Sequence, residues 1–154
     1  MDSETADEFR RLGPSTPQGP TSRELMELNY LAIVVAAVAA FIVSAVWYGL
    51  FGGKLAELHP AYADAGSPSA KDAIVELARN LVVAAVLAGL ADQIGIDGWT
   101  GAALLGLALW IGIVVVLLTG SVYHEKAPVK LAAIHAGDWL LKLVVIAIIV
   151  GVWQ

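Results

Sequence analysis

Cysteine is absent from the 154-residue chain, which removes disulfides, thiolate chemistry and cysteine-ligated metals at a stroke. Charge is scarce: Asp, Glu, Lys and Arg make up 15% of the residues, and no basic cluster exists to neutralise nucleic-acid phosphates. Nucleic acid is therefore not an expected partner. There is no Gly-rich phosphate loop, nucleophile elbow or paired-histidine motif, so the expectation is a protein that is not an enzyme. His59, His124 and His135 follow no recognised ligand spacing, and neither a metal nor a cofactor is expected. Apolar surface, by contrast, is abundant. With 58% hydrophobic residues and a mean hydropathy of +0.75, the chain is too apolar for an ordinary soluble domain.

The apolar residues fall into four long runs, 29–51, 73–91, 98–120 and 131–153, each close to the roughly 20 residues that a spanning helix needs. The expected fold is all-α, an integral membrane four-helix bundle over residues 29–154 whose surroundings are the lipid bilayer. Residues 1–28 carry Asp2, Glu4, Asp7, Glu8, Glu24 and Glu27 against Arg10, Arg11 and Arg23, broken by Pro14, Pro17 and Pro20. That composition reads as a disordered polar tail. Lys54, Lys71, Lys126 and Lys130 all fall in the two longer connections, so a multi-pass protein of the cell membrane with both termini outside is expected.

Small side chains mark the expected packing faces. Helix 1 has Ala32, Ala36, Ala40 and Ser44 at strict four-residue spacing, a ridge that lets another helix approach closely, within the bundle or between chains. Shorter pairs occur at Ala84 and Ala88, at Ala108 and Gly112, at Ala132 and Ala136, and at Ala133 and Gly137. The connection 52–72 contains glycines and prolines, and Ser69 with Asp72 fits a capping box opening helix 2. The connection 92–97 is short enough to make helices 2 and 3 antiparallel neighbours, and Pro128 fits the first turn of helix 4.

Against this background the polar residues inside the runs stand out. Glu76, Arg79 and Asn80 form one stripe of helix 2, and His135, Asp138 and Lys142 form one stripe of helix 4. Lys142 lies near mid-span, where a charge costs about 2.5–3.5 kcal/mol on insertion scales. The two stripes hold two acids and two bases, so Asp138 is expected to pair with Lys142 and the helix 2 set to supply further partners. Two readings stay open for this stripe: a structural ion pair, or a transport or proton-handling site. Trp110 and Trp139 lie deep in their helices, which suggests packing or a cavity wall, packing being favoured.

Three segments carry a resemblance. Asn29-Tyr30-Leu31-Ala32, Trp47-Tyr48-Gly49-Leu50-Phe51-Gly52-Gly53-Lys54 and His135-Ala136-Gly137-Asp138-Trp139-Leu140-Leu141 resemble the bacterial membrane proteins grouped as domain of unknown function 1761. The resemblance implies four membrane helices without an assigned activity, and marks Asn29, Trp47, Tyr48, Gly49, Phe51, Gly52 and Gly137 as positions matching the family's pattern. A proline expected after Gly49 and a tryptophan shortly after Lys54 are missing. Read physically, Trp47 and Tyr48 suit the headgroup region at a helix end, Gly49 the turn after it, and Asn29 a cap or an interhelical hydrogen bond. The expected function is that of an uncharacterised, non-enzymatic bundle that associates with itself or with another membrane protein. The alternative is a small transporter or channel-like subunit using the Asp138, Lys142 and His135 stripe.

Overall fold

The computed structural model describes residues 29–64 and 68–153; the expected tail at 1–28 lies outside the described residues. Five helices follow one another among the described residues: α1 (Tyr30–Leu58), the short α2 (Pro60–Ala63), α3 (Ala70–Ile94), α4 (Trp99–His124) and α5 (Val129–Val152). The four long ones are long and apolar enough to cross a membrane, and no strand occurs among the described residues.

Each helix starts and stops for a local reason. Asn29 fills both roles open to it: its Oδ1 accepts from the Ala32 amide at 3.1 Å, and its Nδ2 donates to the Trp153 carbonyl at 3.1 Å. Ser69 and Asp72 form the expected capping box on α3. Gly95, at φ +67°, ends that helix in the left-handed conformation that glycine adopts without steric cost. Pro128 is the residue before α5 rather than its first turn.

The first connection is much shorter than expected. α1 runs through Gly49, Gly52 and Gly53 to Leu58, because no proline after Gly49 removes an amide from the ladder and each glycine merely weakens the helix by roughly 0.5–1 kcal/mol. Gly49 is consequently not a turn residue.

α5 is the centre of the bundle, packed against α1, α3 and α4, while α1 also packs on α3. The Ala32, Ala36, Ala40 and Ser44 ridge is buried inside this bundle, and Val34, Val38, Ile42 and Val46 on the opposite face of α1 are exposed, as suits a lipid-facing surface. Ala84 and Ala88 are likewise buried. Ala108 and Gly112 are exposed, so they are not the packing face of α4. That face is Ala102 and Gly106, where a Cβ on Gly106 would lie 2.9 Å from the Leu143 carbonyl oxygen.

α3 and α4, although joined by a tight turn, barely touch. The expectation of neighbouring helices fails here because α4 finds a closer partner in α5. A Cβ on Gly151 would clash with that of Ala102, and the Gly98 amide donates to the Gly151 carbonyl at 3.2 Å. Valines and leucines on α3 permit no such approach. The two helices diverge and leave an apolar groove of about 380 Å³ between them.

Candidate functional site: a charged cavity at the bundle centre

Mid-bundle, the polar stripes of α3 and α5 meet. Lys142 Nζ lies 2.8 Å from Asp138 Oδ2, one helical turn away, and 2.7 Å from Glu76 Oε1 across the interface. The other oxygens of these carboxylates are also engaged: Ser44 donates to Asp138 Oδ1 at 2.6 Å, and Arg79 donates to Glu76 Oε2 at 2.9 Å. The result is a chain from Arg79, whose side chain is 56% exposed, through Glu76 and Lys142 to Asp138, whose side chain is 1% exposed. Charges cancel along it, which removes the largest penalty of placing ions where water is scarce.

The aromatic groups complete the wall. Lys142 Nζ and the Arg79 guanidinium lie 5.0 and 5.8 Å from the Trp139 ring centre, within cation–π range. His135 is bound on both ring nitrogens, Nδ1 to the Tyr48 hydroxyl at 2.8 Å and Nε2 to the Tyr62 hydroxyl at 3.0 Å. A neutral imidazole has one donor and one acceptor nitrogen, so one tyrosine donates to the ring and the other accepts from it; Tyr48 also meets the Asp138 carboxylate, an acceptor for its proton. Together these residues line a cavity of about 570 Å³. His135 and Tyr62 also line a second cavity of about 450 Å³ beneath the connection to α5.

Five of the six residues expected to form an intramembrane polar site, Glu76, Arg79, His135, Asp138 and Lys142, thus share one cavity. Asn80 does not line it. It is buried, and its amide nitrogen has no hydrogen-bond partner among the described residues. Two participants escaped the sequence reading. Ser44 was visible only as the end of a small-residue ridge, although a hydroxyl closing an alanine series is itself a polar signal. Tyr62 sits on α2 and has no sequence signal, since only folding of the short helix brings it to His135. Trp139 does both things open to it, packing on the core and walling the cavity, and Trp110 packs: it opens a π-helical turn, Trp110–Val115, and donates to the Ala136 carbonyl at 2.7 Å.

The motif around Trp47 also reads differently in three dimensions. Trp47 Nε1 donates to the Ile134 carbonyl at 3.0 Å and its ring lies against Gly137, where a Cβ would approach it to 2.5 Å. Phe51 stacks on Trp47 with ring centres 4.6 Å apart. Trp47 and Tyr48 therefore face α5, and they are not at the end of their helix, because α1 continues beyond them to Leu58. Gly52 lines the cavity, while Gly49 faces open space.

A family profile described as Protein of unknown function (DUF1761) matches residues 31–151. The chain belongs to this family. Comparison with curated proteins and with solved structures gave no match. Family membership thus agrees with the resemblance carried by Trp47, Tyr48, Gly52 and Gly137, and these positions border the cavity or hold α1 against α5.

Proposed function

We propose that this is a non-enzymatic protein of the cell membrane that binds a small charged or polar solute in the central cavity and carries it, as a small transporter subunit does. The observation that supports this reading is Lys142, 2% exposed and held between two carboxylates, on the wall of a cavity far larger than the ion chain itself requires. Solute sites of membrane transporters sit near the midplane, where charged side chains otherwise have no place. The half of the bundle around Asn29, Gly98 and Gly151 is closed by close helix contacts, so the cavity belongs to the opposite half. A site reached from one side only fits one state of an alternating carrier better than an open pore.

Association with itself or another membrane protein has less support, since the helix 1 ridge that motivated it is spent within the bundle. Flux of protons and of small organic ions into vesicles containing the purified protein tests the reading. Flux above that of empty vesicles is expected, and its loss in a folded Asp138→Asn, Lys142→Met double variant. Wild-type vesicles no leakier than empty ones would defeat it. With Lys54, Lys71, Lys126 and Lys130 at the cavity end, that end faces the cytoplasm and both termini lie outside. Reporters fused at the C-terminus should behave as extracytoplasmic, and reporters at 64–68 as cytoplasmic.

A further inference from the structure

The apolar groove between α3 and α4 and the charged cavity meet at Trp139, which lines both. On α3, Arg79 is followed by Val82, Val86 and Leu90, the spacing of one helical face, so the guanidinium sits at the head of the groove's valine and leucine stripe. A helical side chain leans toward its helix's N-terminus, which turns Arg79 toward the cavity end and leaves the groove running away from it. Polar head at one end and apolar trough behind it make the shape of an amphiphile.

Hydrogen-bonding capacity sets the charge of that head. All four oxygens of Glu76 and Asp138 already accept a hydrogen bond or ion pair. Donors, on the contrary, are in surplus. A guanidinium has five N–H groups, and among the described residues Arg79 uses one, toward Glu76. Lys142 spends two of its three N–H groups on carboxylates, which leaves one. A ligand head that meets this wall must bring acceptors, and an anionic oxygen makes the strongest use of a guanidinium.

We propose that the Arg79 end of the cavity and the α3–α4 groove form a single binding site for an anionic amphiphile, its phosphate or carboxylate on Arg79 and one acyl chain between the two helices. The site stands whether or not the cavity also passes a solute, so it succeeds or fails separately from the flux assay. It predicts dependence on both halves of the ligand, which neither an anion site nor a generic greasy surface would show.

The test is thermal unfolding of the full-length protein in a neutral maltoside detergent with three probes: dodecyl phosphate, dodecanol and inorganic phosphate. Binding to the folded state raises the melting temperature by mass action. Dodecyl phosphate should raise it clearly, and the other two should not. Arg79→Gln, at a side chain that is 56% exposed and with an amide that can still donate to Glu76, should weaken the dodecyl phosphate effect about tenfold, with its melt in the absence of ligand as the check on folding. Val86→Trp, also at an exposed position, fills the groove and should abolish the advantage of the chain. Equal stabilisation by inorganic phosphate would mean a free-anion site, and equal stabilisation by dodecanol an apolar surface; either overturns the proposal, as does indifference to both variants. The chain has no cysteine, so Val86→Cys gives a clean further check: efficient disulfide-linked dimers would assign the groove to a second copy instead.

Discussion

The two halves of this bundle are built from the same helices yet differ in kind. Around Ala36, Ala37, Ala40, Ala84, Ala88 and Gly151 the side chains are small and the backbones approach until helix contacts exclude everything else. Around Tyr48, Glu76, His135 and Lys142 the side chains are long and polar, they meet at their tips, and about 570 Å³ stays open behind them. Close packing of small residues needs no directional bond, whereas a polar cluster keeps its shape only while each charge has its partner. The closed half should thus fail by crowding, and the open half by the loss of a single atom's partner.

The largest effect is expected in the closed half. Ala36 and Ala40 are fully buried, and replacing both by leucine forces α1 off its neighbours at up to about 6 kcal/mol for the pair. Thermal melting in detergent should collapse; an unchanged melt would mean that this face is not packed as described.

In the open half, Lys142→Met strands Asp138 with hydroxyl partners but no counterion and should cost about 3–5 kcal/mol, the range for breaking a buried ion pair. Asp138→Asn should cost less, because Lys142 keeps Glu76. The double variant should recover much of the loss, and a double-mutant cycle in detergent measures how much. Additive losses would show that the two residues act independently.

At the border between the halves, Gly137→Ala drives a methyl into the Trp47 ring, which is fixed by its bond to Ile134, and should cost about 1–3 kcal/mol. Gly49→Ala, a family-pattern position two residues after Trp47 and on the opposite side of α1, meets nothing within 4 Å and should instead stabilise by about 0.5–1 kcal/mol. The same melting curves decide both, and the smallest expected effect carries the opposite sign to the rest.

Sequence alone determined the helical class, the four spans, the capping box at Ser69 and Asp72, and the pairing of Asp138 with Lys142, because each depends on residues within a few positions of one another. It could also give the charge balance between the α3 and α5 stripes, since an ion in an apolar helix must find its counterion. Only the tertiary structure decided that Trp47 and Tyr48 turn inward, that α4 leaves α3 for α5, and that Tyr62 closes on His135. Those outcomes turn on which pair of backbones can approach most closely and on where a helix ends, quantities set by contacts 26 to 94 residues apart that no local spacing encodes.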